Sequence, residues 1–472
     1  MFKRILVANR GECAIRIIRS CRELGAETVA IYSEADSRAL HVKKADQAVL
    51  IGPDPVKSYL NIHRIVDIAT KTGCDAVHPG YGFLSENPDF AHTIIEAGIT
   101  YIGPSPEAIR DMGSKTQARA AMIAAGVPVI PGSEDSLKSV EEAIQLAIDM
   151  GYPVMLKAAA GGGGRGIRRC DNEEELRENY VITQREASAA FGSDELFMEK
   201  CIVEPHHIEF QVLADTHGNV LHLFERDCSI QRRNQKLIEI APSNFIDDKL
   251  RAAMGKVAVR AAKAVNYVNA GTVEFLVDHE HNFFFMEMNT RLQVEHPITE
   301  AITGVDIVAQ QIRIAAGKPL PLTQEELQLK GHAIEFRINA EDPQNNFLPT
   351  PGRITRYFSP GGPGIRVDGC VYPGYTIPPH YDSMCAKLTI WGPTWKRTVS
   401  RARRALAEYD IRGVRTTLPF YRQIAASGDF LDGVFHTGFL DGHPELLDYI
   451  PFEPREDIAA AVSAAIAAHA GL

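Results

Sequence analysis

The first hundred residues alternate between short apolar runs and segments in which apolar residues recur at helical spacing. The apolar run at residues 5–8 precedes a helical segment at 12–24, which stops at Gly25, a residue typical of helix C-termini. The same cycle repeats, with apolar runs at 28–32, 48–51, 76–77 and 99–102 and a helical segment at 60–72. Strands alternating with helices of this length predict parallel βαβ units and a doubly wound parallel sheet, which binds ligands beyond the carboxyl ends of its strands.

The pattern changes near residue 112. Strands become dominant between residues 196 and 293, and a linker at 317–321 leads into a third region of short strands and Pro/Gly turns. We therefore expect an α/β domain followed by α+β regions. The expected boundaries are 1–112, 113–317 and 330–445, with an alanine-rich helical tail at 457–472.

Composition narrows the class of protein. The 472 residues include 50 basic and 60 acidic side chains, a net charge of −10, and 45% of the residues are hydrophobic. These values are typical of a globular protein and argue against a nucleic-acid binder. No apolar run has the length of a membrane span or a signal-peptide core, and the eight cysteines include no Cys-x-x-Cys pair. We therefore expect a soluble cytoplasmic protein without a disulfide framework, a zinc site or a membrane partner.

The turn after the first strand, Asn9-Arg10-Gly11, lies where dinucleotide-binding folds place a glycine-rich fingerprint. That fingerprint needs three glycines, and this turn supplies one. The pattern therefore favours an ordinary doubly wound turn over a nicotinamide site.

A run of four glycines, Gly161 to Gly164, lies between Lys157 and Arg165. Glycines let backbone N–H groups converge on phosphate oxygens, and the flanking cations add positive charge. The run lacks the Gly-Lys-Ser/Thr of a Walker loop and precedes a strand, so it predicts a β-hairpin with a flexible glycine tip. Such a tip closes over a triphosphate. The alternative, a disordered loop without a ligand, is disfavoured by the basic residues at both ends.

Residues 271–289 contain a strand–turn–strand pattern that carries three polar side chains. A symmetric turn at residues 280–281 places Glu274 directly opposite Glu287, with Asn289 on the same face. Opposed carboxylates lie about 5 Å apart and repel each other, so this arrangement requires a cation. Two carboxylates and an amide oxygen are hard donors that suit Mg²⁺ or Mn²⁺. A surface hairpin with its register shifted by one is the alternative.

The polar alternation continues beyond Asn289 with Arg291, Gln293 and Glu295. If the chain stays extended, these side chains form one polar face next to the metal ligands. Such a face holds a small anion beside metal-bound phosphate, and Glu295 is placed to accept a proton. A solvated edge strand is the alternative interpretation.

Taken together, these residues resemble the ATP-grasp fold, and the segment Asn289-Thr290-Arg291-Leu292-Gln293-Val294-Glu295-His296-Pro297 resembles its biotin carboxylase branch. The resemblance covers nearly the whole chain up to the tail, through the motifs Asn9-Arg10-Gly11-Glu12, His78-Pro79-Gly80-Tyr81-Gly82, Gln231-Arg232-Arg233 and Tyr381-Asp382-Ser383-Met384. It implies an N-terminal biotin carboxylase domain, a central ATP-grasp domain with a glycine-rich lid at about residues 130–203, and a C-terminal biotin carboxylase domain.

The resemblance also implies roles for individual residues. The implied ATP ligands are Lys115 and Lys157 at the phosphates, Gly163 and Gly164 in the lid, Glu199, Lys200 and Ile202 at the adenine, and His207, Gln231 and Asn234 at the nucleotide. The implied Mg²⁺ or Mn²⁺ ligands are Glu274, Glu287 and Asn289, and the implied bicarbonate site contains Lys236, Arg291, Gln293, Val294 and the base Glu295. Arg337 and Asp382 match residues beside biotin. Many relatives have His in place of Asn234 and Glu in place of Ile240.

The implied activity is that of an ATP-dependent ligase, in which bicarbonate and MgATP carboxylate biotin through carboxyphosphate. The segment from Arg233 to Ile240 is similar to the stand-alone biotin carboxylase subunits of two-subunit pyruvate or related 2-oxoacid carboxylases, with acetyl-CoA carboxylase as the alternative. The chain has no Met-Lys-Met tripeptide and no residual length for a carboxyltransferase barrel, which needs roughly 250 residues. We therefore expect a homodimeric subunit whose partners are a biotin carrier protein or biotinylated polypeptide and a separate carboxyltransferase.

Competing functions remain at this stage. A carbamoyl-phosphate synthetase half or a purine-pathway ligase shares the lid and the metal hairpin, but the face from Arg291 to Glu295 together with Arg337 favours biotin. The missing glycines oppose a nicotinamide-dependent dehydrogenase, and the complete metal set opposes a catalytically silent assembly protein.

Overall fold

The computed structural model describes residues 1–133, 135–158, 166–449 and 455–470, with side chains in the last segment described from residue 462. The N-terminal strands are β1 (Arg4–Val7), β2 (Glu27–Ser33), β3 (Gln47–Gly52), β4 (Ala76–His78) and β5 (Thr100–Tyr101). The helices of this region are α1 (Gly11–Glu23), α2 (Leu40–Lys44), α3 (Pro55–Tyr59), α4 (Ile62–Lys71), α5 (Pro88–Glu96) and α6 (Pro106–Gly113).

These strands form a parallel sheet in the order β3-β2-β1-β4-β5. Successive residues of β1 point to opposite faces, so Ile5 and Val7 join the core that contains α1, while Leu6 joins the core that contains α4 and α5. Helices therefore cover both faces, and the predicted doubly wound parallel sheet is confirmed.

A smaller three-stranded sheet follows. Its elements are α7 (Lys115–Ala124), α8 (Val140–Met150), β6 (Val154–Ala158), β7 (Ile167–Cys170), α9 (Glu173–Phe191) and β8 (Leu196–Lys200). The strand order is β7-β6-β8, and the apolar faces of α8 and α9 pack on the sheet. The strands predicted on either side of the glycine run pair as an antiparallel hairpin, in which Lys157 lies opposite Ile167.

The remaining elements form the largest sheet and its surroundings. The central elements are β9 (His206–Ala214), β10 (Val220–Arg232), β11 (Gln235–Ala241), α10 (Asp248–Ala264), β12 (Asn269–Val277), β13 (Phe283–Asn289), α11 (His296–Thr303) and α12 (Ile307–Ala315). The C-terminal strands are β14 (His332–Asn339), β15 (Glu341–Asp342), β16 (Leu348–Pro349), β17 (Gly352–Arg353), β18 (Arg356–Phe358), β19 (Ile365–Gly369), β20 (Thr376–Ile377), β21 (Met384–Gly392) and β22 (Asp410–Arg412). The C-terminal helices are α13 (Trp395–Glu408), α14 (Leu418–Ile424), α15 (Gly428–Asp432) and α16 (Arg455–Ala470).

Eight of these strands form one sheet in the order β13-β12-β9-β10-β11-β14-β21-β19. The pairing of β11 with β14, in which Glu239 lies opposite Glu335, joins the central strands to the C-terminal strands. Polar side chains of both regions therefore project from a single sheet surface.

The predicted alanine-rich tail is helical and corresponds to α16. Its Val462 and Ile466 are exposed. Across the described residues, no helix combines the length and the apolar character needed to cross a membrane.

Candidate active site

The two carboxylates predicted to face each other do so. Glu274 on β12 pairs directly with Glu287 on β13, and the register between these strands shifts by one residue immediately beyond the pair. Met286 is the extra residue of this β-bulge, because Phe275 pairs with Phe285. The register argument is therefore correct at the carboxylates, although the bulge changes the pairing nearer the turn.

Four side chains surround Glu274, which is buried. Lys236 Nζ lies 3.1 Å from its Oε1, and His207 Nε2 lies 2.7 Å from its Oε2. Asn289 Nδ2 and Gln293 Nε2 also donate to Oε1, at 2.7 and 3.0 Å. Burial alone would raise the pKa of Glu274, but the positive charge of Lys236 and the contact with His207 hold that pKa below its ordinary value. Glu274 is therefore an ionised carboxylate whose two oxygens contact four polar side chains.

Lys236 is the cation at the centre of the site. Its ammonium contacts Glu209 Oε2 at 2.5 Å, Glu295 Oε1 at 2.7 Å and the carboxylate of Glu274. This cation offsets the mutual repulsion of Glu209, Glu274 and Glu295, whereas it does not contact Glu287.

The sequence patterns did not single out Glu209 and Arg226. Glu209 lies on β9 opposite Glu274, so a row of three carboxylates crosses neighbouring strands through Glu209, Glu274 and Glu287. The fully buried Arg226 lies opposite Glu209 on β10 and donates to it, and its other donors reach Gln211, Thr272 and Thr299. The alternation of His207, Glu209 and Gln211 with apolar residues along β9 was the available signal.

The extended polar face predicted beyond Asn289 is wrong. Strand β13 ends at Asn289 and α11 begins at His296, so Arg291, Gln293 and Glu295 lie in a turn rather than on a strand. The turn nevertheless brings these side chains together, because it folds back onto Glu274 and Lys236. Proline at position 297, in the first turn of α11, was the sequence signal for this helix start.

Arg291 connects this turn to the N-terminal sheet. Its Nε donates to Glu86 Oε2 at 2.8 Å, while its terminal nitrogens donate to Asn289 Oδ1 and Gln293 Oε1 at 2.8 and 3.1 Å. Glu86 is a further residue that the sequence did not single out. The guanidinium is thus held edge-on by three neighbours, with its orientation fixed.

Glu295, the predicted base, is fully buried between two cations. Lys236 binds its Oε1, and Arg337 Nη2 donates to its Oε2 at 3.0 Å. Burial alone would raise the pKa of Glu295, but the charges of Lys236 and Arg337 hold it well below its ordinary value. The carboxylate is therefore ionised at neutral pH and able to accept a proton.

Arg337 has a second acidic partner. Its Nε donates to Glu239 Oε1 at 2.5 Å, and the other oxygen of Glu239 has no hydrogen-bond partner in the described part of the chain. Burial raises the pKa of Glu239 to about 7, with Arg337 opposing that change. Arg337 is thus shared between an ionised carboxylate and one that titrates near neutrality.

Among the predicted phosphate ligands, Lys157 forms an ion pair with Glu199 across β6 and β8. The side chain of Lys200, the next residue along β8, points the opposite way and donates to the backbone oxygens of Gly151 and Tyr152. Its ammonium is therefore a structural contact, which leaves only its backbone for a nucleotide. Lys115 begins α7 and is exposed, whereas Gly163 and Gly164 lie outside the described residues.

The other predicted nucleotide residues divide into two groups. His207 contacts Glu274, one of the two opposed carboxylates, and Gln231 lies opposite Lys236 on the neighbouring strand. Asn234 lies in the two-residue turn between β10 and β11, with a φ of 63°, and its side chain is exposed. Asparagine tolerates this left-handed conformation better than most residues, which explains its presence in the turn. Ile202 is half-buried, two residues beyond the end of β8.

The residues predicted beside biotin lie on the C-terminal part of the sheet. Asp382 is exposed, just before β21, and accepts a hydrogen bond from the amide of Met384 at 2.8 Å. Its neighbour Tyr381 anchors this loop, because its ring lies under the Arg10 guanidinium and its hydroxyl bonds Ser33. Val294 contributes its backbone, whose carbonyl accepts from Lys387 Nζ at 2.7 Å.

The donor set fits a divalent cation. Glu287 is exposed and, among the described residues, has no hydrogen-bond or ion-pair partner, whereas Glu274 opposite it is ionised. Desolvation, followed by the charge of Glu274, raises the pKa of Glu287. The carboxylate oxygens of Glu274 and Glu287 and the amide oxygen of Asn289, which here accepts from Arg291, are hard donors. A Mg²⁺ or Mn²⁺ held by them would supply the charge neutralisation that Glu287 lacks.

Three family models match consecutive parts of the chain. They are "Biotin carboxylase, N-terminal domain" over residues 1–109, "Carbamoyl-phosphate synthase L chain, ATP binding domain" over 114–323 and "Biotin carboxylase C-terminal domain" over 335–442. Together they span the parallel sheet, the central sheet and the C-terminal strands.

A curated relative and two solved structures agree with these models. The chain is 55% identical over 472 residues to the 2-oxoglutarate carboxylase small subunit of Hydrogenobacter thermophilus, with full coverage of both chains. The crystal structure of the biotin carboxylase domain dimer of that Hydrogenobacter enzyme, in complex with MgADP, ADP and bicarbonate, matches with a TM-score of 0.91 and 56% identity, over 95% of this chain and 99% of that one. The crystal structure of the biotin carboxylase subunit of a pyruvate carboxylase matches with a TM-score of 0.85 and 56% identity, over 95% of this chain and all of that one.

The geometry agrees with this kinship, since a buried carboxylate between two cations and an opposed carboxylate pair suit the charge neutralisation that phosphoryl transfer requires. The chain therefore belongs to the biotin carboxylase family: it is an ATP-dependent ligase of the ATP-grasp type and the biotin carboxylase subunit of a biotin-dependent carboxylase.

Proposed function

We propose that this chain carries out the first half-reaction of a cytoplasmic 2-oxoacid carboxylase, the MgATP-dependent carboxylation of biotin carried by another polypeptide. The position of Glu295 supports this function most directly, because this ionised, buried carboxylate lies between Lys236 and Arg337. Lys236 also contacts Glu274, one of the two opposed carboxylates. The described cysteines are all free thiols, as expected in a reducing compartment. The domain boundaries 1–112, 113–317 and 330–445, with a lid at about 130–203, are part of this proposal.

In the proposed first step, Glu295 takes the proton of a bicarbonate held by Lys236, Arg291, Gln293 and the backbone of Val294. A bicarbonate oxygen attacks the γ-phosphorus of ATP, the bond from that phosphorus to the ADP oxygen breaks, and carboxyphosphate forms. Because phosphoryl transfer relies on positioning and charge neutralisation, the fixed cations of this site are the features that matter.

In the proposed second step, carboxyphosphate separates into CO₂ and phosphate, and the phosphate takes the proton from biotin N1. The resulting N1 lone pair attacks CO₂ while Arg337 stabilises the negative charge on the biotin carbonyl oxygen. Asp382 at the rim contacts the biotin side of the site.

We assign the nucleotide to residues on and around the three-stranded and eight-stranded sheets. Lys115, Lys157, Gly163 and Gly164 would hold the phosphates, which requires Lys157 to exchange Glu199 for phosphate oxygens. The remaining assigned contacts are Glu199, the backbone of Lys200, Ile202, His207, Gln231 and Asn234. Glu274, Glu287 and Asn289 would hold Mg²⁺ or Mn²⁺, which supplies charge neutralisation at the phosphates.

The first half-reaction is tested by measuring phosphate release from ATP with bicarbonate and free biotin, each omitted in turn. We expect release that depends on both, and a loss of about 100-fold in Glu295→Gln, since that change removes the base but keeps its shape. Glu27→Gln, at an exposed ion pair with Arg4, is the matched control and should behave like the wild type. Turnover that requires ammonia instead of biotin would contradict the assignment.

The final acceptor is proposed to be pyruvate, as for the pyruvate carboxylase whose biotin carboxylase subunit matches this chain. 2-Oxoglutarate is the second candidate, because the small subunit of the Hydrogenobacter enzyme matches this chain over its full length, tail included. Purification of the native complex through a tag on this chain, followed by carboxylation assays with pyruvate, 2-oxoglutarate and acetyl-CoA, separates these acceptors. Activity with acetyl-CoA alone would exclude a 2-oxoacid carboxylase.

We also propose that the chain is a homodimer whose biotin and carboxyltransferase reside on partner subunits. The purified chain should sediment as a dimer, should not react with streptavidin and should not make oxaloacetate from pyruvate, ATP and bicarbonate. Covalent biotin on this chain, or oxaloacetate formed without a partner, would contradict this division of labour.

A further inference from the structure

The turn at residues 293–296 presents its backbone in a defined orientation. His296 Nδ1 lies 2.7 Å from the carbonyl oxygen of Gln293, and Lys387 Nζ donates to the carbonyl oxygen of Val294 at 2.7 Å. In a planar trans peptide the N–H points away from the carbonyl, so the amides of Val294 and Glu295 point away from His296 and Lys387. Within the described ranges, these two amides have no protein acceptor.

An unpaired backbone amide can donate to an anion, and the plane of its peptide sets the direction in which it donates. Two cations lie beside this turn, because Lys236 binds the Glu295 carboxylate and Arg291 donates to Gln293 Oε1. The orientation of the peptide between Val294 and Glu295 therefore decides whether a second backbone donor reaches an anion held there.

Lys387 is fully buried on β21, opposite Arg337 on β14. Besides Val294, its ammonium faces Glu12 Oε2 at 3.3 Å and the ring of Tyr81, whose centroid lies 5.7 Å away. Neither carboxylate oxygen of Glu12 has a hydrogen bond in the part of the chain that the structure describes. A buried ammonium is costly unless its bonds are well placed, and its short bond is the one to Val294.

We propose that Lys387 is a positioning residue for bicarbonate, which it serves by locking the Val294–Glu295 peptide so that the amide of Glu295 faces the anion. This role rests on the proposed function. In this role Lys387 does not contact the substrate. Its hydrogen bond to Val294 orients the turn, and its ion pair with Glu12 connects the turn to α1.

The test compares Lys387→Met, Glu12→Gln and the double variant in the phosphate-release assay. Methionine has the length of lysine without the donor, and glutamine keeps the shape of Glu12 without its charge. We expect the KM for bicarbonate to rise about tenfold in both variants that carry Lys387→Met, since a charged donor to the turn is lost. The KM for ATP should change by less than about twofold, and Glu12→Gln should leave both values near the wild type.

A merely structural lysine would give a different pattern. If its task is to tie α1 to the turn, Glu12→Gln reproduces the change in the KM for bicarbonate, and the proposal is overturned. A folded Lys387→Met enzyme with an unchanged KM for bicarbonate overturns it equally. If the single variant fails to fold, the double variant decides, because it also removes the charge of Glu12, the carboxylate that lies 3.3 Å from Lys387. Failure of the proposed function is recognised separately, by wild-type protein whose phosphate release needs neither bicarbonate nor biotin.

Discussion

Glu274 and Glu287 lie directly opposite each other on neighbouring strands, but of the two only Glu274 pairs with a lysine. Lys236 neutralises Glu274 and His207 contacts it, whereas Glu287 has no donor from the described residues. The pair is therefore electrostatically unequal before any metal binds. Of the two carboxylates, Glu287 is the one whose charge a metal ion would neutralise. Replacing each glutamate with glutamine should therefore change the stability of the fold in opposite directions.

We predict that Glu287→Gln stabilises the protein when Mg²⁺ is absent. The raised pKa of Glu287 means that its charged form is disfavoured in the folded state, so removing the charge should increase the unfolding free energy by up to about 1 kcal/mol at neutral pH. Mg²⁺-dependent phosphate release should fall about 100-fold, because one hard ligand is lost. Thermal melting with and without Mg²⁺ measures the first effect, and full activity at low Mg²⁺ would contradict the assignment of Glu287 as a metal ligand.

Glu274→Gln should have the opposite effect on stability. The carboxylate holds a lowered pKa, and its loss removes one of the three carboxylates around Lys236 together with the acceptor of His207. We expect the unfolding free energy to fall by about 1–3 kcal/mol, since hydrogen bonds to a charged group are lost while Lys236 keeps two acidic partners. Denaturant unfolding of both variants beside the wild type provides the comparison. Equal shifts for Glu274→Gln and Glu287→Gln would refute the asymmetry.

Glu86→Gln should affect bicarbonate use without destabilising the fold. Glu86 lies at the surface, and its carboxylate holds Arg291 Nε at 2.8 Å. We expect the KM for bicarbonate to rise by about threefold to tenfold, since Arg291 loses one fixed partner. The melting temperature should stay within about 2 °C of the wild type, as is usual for exposed ion pairs. Glu27→Gln, which weakens an exposed pair with Arg4, serves as the control and should leave the KM unchanged.

A pH-dependent prediction concerns Glu335. Burial raises its pKa to about 8, and it lies opposite Glu239 across β11 and β14. The folded state therefore holds a proton that the unfolded state releases at a lower pH, and wild-type stability should decline between about pH 4.5 and 8. Glu335→Gln, which mimics the protonated acid, should match the wild type at about pH 4 and exceed it by about 1–3 kcal/mol at about pH 9.

Denaturant unfolding across this pH range tests the prediction. The exposed carboxylate of Glu325, which has no ion pair among the described residues, offers a matched control, because Glu325→Gln should give a curve parallel to that of the wild type. A constant difference between Glu335→Gln and wild type at every pH would show that Glu335 does not titrate in this interval.

Contacts between the two adjacent strands of one hairpin could be predicted from the sequence. The pairing of Glu274 with Glu287 was predicted from a symmetric turn, but the structure reaches it in another way. Val277 pairs with Phe283 next to the turn, a register that would place Met286 opposite Glu274, and the bulge at Met286 brings Glu287 there instead. The parallel N-terminal sheet was equally predictable, since each strand is followed by its own helix.

Contacts between distant strands were not predictable in the same way. Glu209 lies next to Glu274 only because β9 inserts between β10 and β12, and strand order in a sheet is not encoded by local alternation. The polar alternation after Asn289 was ambiguous, since a folded turn and a strand both gather every second side chain. The contact between Lys387 and Glu12 was not predicted, because it joins β21 to α1, which are 375 residues apart in the sequence.

The continuous eight-stranded sheet has a mechanical consequence. Lys236 and Arg337, the two cations that flank Glu295, project from β11 and β14, and the hydrogen bonds between these strands fix how far apart their backbones lie. Strand pairing therefore fixes the distance between the two positive charges beside Glu295. Strands β6, β7 and β8 belong to a different sheet. A rearrangement confined to the smaller sheet would therefore leave the spacing between Lys236 and Arg337 unchanged.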